Sequence, residues 1–210
     1  MSEEKMAQAD DQEIELSDAV DERSAGEVAD VTERAEALKT EARGLLAVGD
    51  WEPAVERYDE VIELMDAEGD IAGKAEALND IAGVHLALDD WEQALTFAAE
   101  ARGFYQSAED QAGEAVVLNN IAGAHEKSGD WQKAIEAYDE ALAIRRELGD
   151  GEGEAKTLRN LAILYVQHGN PVKAKSYLNR AMVAAKRAKS REMVKVIRQT
   201  LSRLPRRRRR

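Results

Sequence analysis

The chain has 210 residues, 34% of them charged, and its 42 acids against 29 Lys and Arg give a formal net charge of −13. These figures describe one elongated domain with a modest core, and the lack of any cysteine excludes disulfides, thiolate zinc sites and cysteine nucleophiles. No stretch approaches the roughly 18 to 20 apolar residues of a membrane span, and the opening MSEEKMAQADD has neither the basic nor the apolar region of a signal peptide, so a soluble cytoplasmic protein is expected.

Residues 1–30 are rich in acid and without apolar periodicity, which predicts a disordered acidic arm. From there a period of 40 organises the chain: Trp51, Trp91 and Trp131 are followed at the same interval by Pro171. Before them stand Gly49-Asp50, Asp89-Asp90, Gly129-Asp130 and Gly169-Asn170, each reading as a helix end followed by the N-cap of the next helix. Apolar residues then recur at helical spacing on both sides of the turn, as in Leu78, Ile81, Ala82 and His85 before it and Ala94, Leu95, Ala98 and Ala101 after it. The predicted units are four amphipathic helix pairs, at about 31–70, 71–110, 111–150 and 151–188, separated by the linkers EGDIAG, AEDQAG and GDGEGE. The first unit is degenerate, because Glu41 stands where Ile81, Ile121 and Leu161 stand. In 189–204 a stripe of Met193, Val194, Ile197 and Leu201 predicts a capping helix over the last pair, and Pro205 stops it before an Arg-rich tail at 205–210.

Leu, a small residue and an aromatic or His on the first helix, then Ala, an aromatic and Ala on the second, resemble the tetratricopeptide repeat. The resemblance covers about residues 35 to 188, and the 40-residue unit is similar to the longer repeats of kinesin light chains and LGN/Pins-type adaptors. It implies an all-α, right-handed superhelical solenoid of about four helix pairs with a C-terminal capping helix. It also implies a non-catalytic scaffold whose concave groove, lined by the first helix of each pair, binds an extended segment of a partner protein.

Nothing in the sequence points to catalysis, a cofactor or a metal. His85 and His125 share one repeat position with Tyr165 and are expected to be structural, and His168 precedes Gly169 at a helix end. Glu136 and Asp139 are read as a solvated face rather than an acid and base. GDGEGEAK lacks the preceding strand and the Gly-Lys-Ser/Thr of a phosphate loop and is read as an inter-repeat turn. The tryptophans are expected to pack against the turn and the neighbouring pair.

Two polar ladders mark the expected groove: Lys39, Asn79, Asn119 and Arg159, then Thr40, Asp80, Asn120 and Asn160, with Arg43 on the same helix face as the first rung. The resemblance to adaptors with longer repeats implies that Asn119, Asn120 and Asn160 hold a peptide main chain, because a carboxamide both donates and accepts, whereas Asp80 and Thr40 depart from that use; the alternative is that these polar residues cap exposed helix surface. Gly83 and Gly123 either keep space for a ligand or allow close helix packing. Charge sorts sharply along the chain: residues 151–210 carry 17 Lys or Arg against 3 acids, and the preceding 150 residues carry 12 against 39. Arg206, Arg207, Arg208, Arg209 and Arg210 are read as a solvated tail, as a site for nucleic acid or anionic lipid, or as a weak partner of the acidic arm in self-association.

Overall fold

The computed structural model describes residues 30–204, and among them the backbone is helical with no strand. The acidic arm and Arg206 to Arg210 lie outside the described residues. The described residues divide into two compact units, the first ending at Asp70 and the second beginning at Ile71.

The first unit holds α1 (residues 30–48) and α2 (Trp51–Glu68), joined at Gly49 and Asp50. Gly49 has φ 88°, the left-handed conformation that closes a helix and that a Cβ disfavours. Ala35, Ala42, Ala54, Tyr58 and Val61 are buried. Arg57 bridges the pair, its Nε donating to Glu41 Oε1 at 3.1 Å while its Nη1 pairs with Glu60.

The second unit holds α3 (Ile71–Ala87), α4 (Trp91–Ser107), α5 (Gln111–Ser128), α6 (Trp131–Glu147), α7 (Gly151–Gln167), α8 (Pro171–Arg187) and α9 (Arg191–Arg203). Each helix packs on the next, α3 also touches α5, α7 touches α9, and Thr157 of α7 bonds to Asn119 of α5, so the odd-numbered helices of this unit lie side by side. Small residues permit the close approach within each pair: Ala82 and Ala94, Ala122 and Ala134, and Ala162 and Ala174 are all fully buried. Leu118, Leu158, Leu161, Leu178 and Ile197 fill the remaining space, each stabilising the stack by about 1.5–3 kcal/mol. Met193 and Ile197 are the buried face of α9.

Side-chain caps fix where α4 to α9 begin. The side chains of Asp90, Asp110, Asp130, Asp150, Asn170 and Ser190 each accept from the backbone N–H three residues on, an interaction of about 1 kcal/mol apiece. The helix bounds also correct the expected linkers. The segments IAG, QAG and GEGE are not connecting loop but the first turns of α3, α5 and α7, so adjacent helix pairs are joined by only a few residues.

The early glycines of those turns have a packing role. A Cβ on Gly113 would fall 2.2 Å from the Tyr105 ring, and one on Gly153 would fall 2.9 Å from Arg145 Cδ. Tyr105 and Arg145 occupy one repeat position near the end of α4 and α6, and both are buried. One repeat later the sizes invert: buried Ala185 stands at the end of α8 and Met193 at the start of α9. No helix among the described residues is long and apolar enough to cross a membrane.

Candidate functional site

Three of the stacked helices, α3, α5 and α7, frame a cavity of about 450 Å³. Its apolar walls are Leu86 and Ile163, its polar groups include Asn119, Glu126 and Asn160, and Tyr138 reaches it from α6. Gly123 lies in the wall, where an added Cβ would meet Leu86 Cδ1 at 3.4 Å, whereas at Gly83 a Cβ would meet nothing within 4 Å. The two glycines, which share a repeat position, therefore leave open space rather than admit a neighbouring backbone.

The carboxamide ladder proves to be bonded between repeats. Asn120 Nδ2 donates to Asn79 O at 3.1 Å and to Asn79 Oδ1 at 2.9 Å, so α5 is tied to α3. Asn79 is only 7% exposed. Asn119 Nδ2 donates to Ala115 O at 3.0 Å within its own helix, and its Oδ1 lies 3.1 Å from Thr157 Oγ1 on α7. Asn160 reaches the Tyr138 hydroxyl, and Asp80 is half-buried. Arg159 turns away toward α9, its Nε donating to Thr200 Oγ1 at 3.2 Å. Of the remaining expected groove residues, Lys39 and Arg43 belong to the first unit. Lys39 is buried with Nζ 3.1 Å from Glu36 Oε1, and Arg43 is exposed. The cavity thus collects Asn119 and Asn160 of the expected set and adds Glu126 and Tyr138.

Glu126 and Tyr138 are coupled: the phenol donates to Glu126 Oε1 at 2.6 Å. Burial pushes the Glu126 carboxyl above the usual carboxylate range, against the Tyr138 hydrogen bond, which lowers it. Burial likewise raises the Tyr138 phenol, with the Glu126 charge adding to the effect.

A second buried polar centre lies behind the ladder and was not singled out from the sequence. Arg145, 5% exposed, donates through Nη1 to Gly153 O and to Thr157 Oγ1 at 2.6 Å, and through Nη2 to Ala115 O at 3.2 Å. The Thr157 hydroxyl has a single proton, which serves either Asn119 Oδ1 or Gly153 O at 3.2 Å. The available signal was the repeat itself, which puts Arg145 in register with Tyr105 and Ala185 rather than on a polar face.

The other sequence candidates fall into place around the turns. His85 stacks on Phe97 at 5.3 Å and has Nδ1 3.4 Å from Asp90 Oδ2. Burial lowers the His125 imidazole. Trp131 packs on the neighbouring pair as expected, its ring leaning on His168 at 5.0 Å, and at 40% exposure it does so at the rim rather than in the core. Among the described residues no three His, Asp or Glu side chains are grouped so as to hold a metal. At the other end of this unit Lys186, Lys189, Arg191 and Arg198 surround a second cavity of about 380 Å³ between α8 and α9.

Comparison with known proteins agrees with the helix pairing. Residues 113–187 match the tetratricopeptide repeat family. BtubC from P. vanneervenii is 23% identical with a TM-score of 0.60, over 84% of this chain and 67% of that one. A Rap protein complexed with Competence and Sporulation Factor is 18% identical with a TM-score of 0.69, over 80% of this chain and 47% of that one. The TPR-like repeats of a kinesin-light-chain-like protein from Podosopora anserina are 16% identical with a TM-score of 0.63, over 81% of this chain and 85% of that one. The chain therefore spans less than half of the Rap protein, and at these identities the likeness is one of fold. No curated protein matches the sequence significantly. The repeat match over residues 113–187, the stacked helix pairs and these structural neighbours together show a tetratricopeptide-repeat fold.

Proposed function

We propose that this chain is a non-catalytic scaffold that binds an extended segment of a partner protein across α3, α5 and α7. The observation that carries this reading is the cavity of about 450 Å³ on the stacked odd-numbered helices, where apolar walls and hydrogen-bonding groups stand together. The carboxamides of Asn119 and Asn160 supply both donors and acceptors for a main chain, even while they brace neighbouring repeats. Open space at Gly83 continues the same face along α3. The Rap protein of similar fold, solved with Competence and Sporulation Factor, supports a binding role for such a stack.

The test is an array of tiled peptides probed with wild type and with Gly123→Phe, which fills the cavity. Peptides retained by wild type and lost by the variant, with helicity and melting unchanged, are the expected result. Equal retention by both proteins would place binding elsewhere.

A second reading has its own observation. Lys186, Lys189, Arg191 and Arg198 form no ion pair among the described residues, so the α8–α9 end offers uncompensated charge to a polyanion. Labelled nucleic acid, bound at low salt and released at high salt irrespective of Gly123→Phe, would favour it.

A further inference from the structure

One rung of the groove is chemically out of step with its siblings. At a single repeat position the chain carries Leu46, Leu86, Glu126 and Val166, so a carboxylate replaces an aliphatic side chain in one unit alone. That carboxylate lies in the wall of the cavity. Its Oε1 takes the Tyr138 hydroxyl at 2.6 Å, and its Oε2 has no hydrogen-bond partner among the described residues. The nearest basic side chains do not complete it. Lys127 Nζ is committed to Asp89 Oδ1 at 2.6 Å, and the His168 ring, which acts on Glu126 only through its field, is stacked on Trp131.

A half-buried carboxylate in a cavity wall, with one oxygen not engaged by the protein, is strengthened by pairing with a cation there. We propose that Glu126 is a specificity-determining residue that receives the arginine or lysine side chain of the segment bound in this groove. This inference rests on the peptide-groove reading above. Leu86 and Ile163 flank the carboxylate and offer an apolar bed to the alkyl stem of such a side chain. Gly123 keeps the approach open, since a Cβ there would already touch Leu86. Tyr138 holds Oε1 and thereby fixes the carboxylate plane, which suits the forked geometry of a guanidinium. The chain's net charge of −13 favours the encounter with a cationic segment.

The experiment uses two defined probes, N-acetyl-arginine methylamide and N-acetyl-leucine methylamide, titrated into the full ¹⁵N-labelled chain. Saturable shifts of the Gly123, Glu126 and Ile163 amides are expected with the arginine probe, at an affinity about tenfold or more above the leucine probe. Glu126→Gln keeps an acceptor for Tyr138 but removes the charge, and it should abolish that preference. Glu126→Leu, which installs the residue of the preceding repeat, should reverse the preference toward leucine. Circular dichroism matching wild type shows that each variant is folded before its preference is read. Equal binding of both probes to wild type, or an arginine preference that survives Glu126→Gln, would overturn the cation site and leave the groove reading standing. An absence of shifts with either probe would also overturn it, and the groove itself is then decided by the Gly123→Phe comparison.

Discussion

Arg145 offers the sharpest test of how the stack is held. Its guanidinium makes three hydrogen bonds to α5 and α7 from the end of α6, and bonds to a charged donor contribute about 1.5–3 kcal/mol each. Against this, burying the ion is unfavourable by several kcal/mol, and burial indeed lowers the guanidinium's pKa. Its Nε lacks a hydrogen-bond partner, with Asp150 Oδ2 3.9 Å away, so the ion is incompletely satisfied. The two large effects nearly cancel, and what remains is the packing of the alkyl stem against Gly153. Arg145→Ala should therefore cost about 2–4 kcal/mol, mostly from the cavity it leaves, whereas Arg145→Met, which keeps the stem, should lie within about 1 kcal/mol of wild type. In a chain of this size the alanine variant should melt roughly 5–15 °C lower, and the methionine variant within about 4 °C of wild type. Thermal melting followed by circular dichroism, with urea titration as a check, measures both. If methionine is as damaging as alanine, the hydrogen bonds outweigh desolvation and the reasoning is wrong; if alanine melts like wild type, the packing account fails as well.

Two further expectations concern single sites. Gly113→Ala should destabilise by about 1–3 kcal/mol, because its Cβ would overlap the Tyr105 ring, while Gly83→Ala should stabilise by up to about 1 kcal/mol in open space within a helix; paired urea titrations decide whether the signs differ. At Glu154, burial alone would raise the carboxyl, but hydrogen bonds from Arg146 at 2.8 Å and Arg187 at 2.6 Å outweigh it and hold the group below its usual range. A depressed folded-state value means that the stabilisation is present above the unfolded pKa of about 4.3 and is lost as pH falls through the folded one. The melting temperatures of wild type and Glu154→Gln should accordingly differ at pH 7 and converge in acid, and a constant gap across that range would contradict the assignment.

The fold class was legible because it rests on periodic and local signals. Asp90, Asp130 and Asn170 announce helix starts by side-chain chemistry alone, and Gly129 and Gly169 announce helix ends by backbone conformation alone. The first turns of α3, α5 and α7 were misread as linkers, since Gly-rich sequence argues against helix unless the bulk of Tyr105 or Arg145 opposite is already known. The repeat period places Trp131 against the neighbouring pair, but how deeply it is buried depends on His168, 37 positions later. The ladder was seen as a row of polar groups, yet sequence spacing cannot tell a carboxamide aimed at a ligand from one bonded to the next repeat, as Asn120 is to Asn79. Glu126 breaks the aliphatic pattern of its position visibly, but its meaning appears only when Tyr138 and the cavity are placed around it.

The size inversion at the junctions has a consequence for how such a chain can change over time. Tyr105 opposite Gly113, Arg145 opposite Gly153, and Ala185 with Met193 put a different lock and key at each successive joint, although the surrounding helices are close copies. A unit moved to another place would bring bulk against bulk or leave a hole, so the modules carry addresses as well as shapes. The same mismatch discourages neighbouring units from exchanging partners during folding or between molecules, a hazard that near-identical repeats otherwise face. Growth of the array by duplication would therefore require a compensating pair of changes at the new joint before the extra unit could seat.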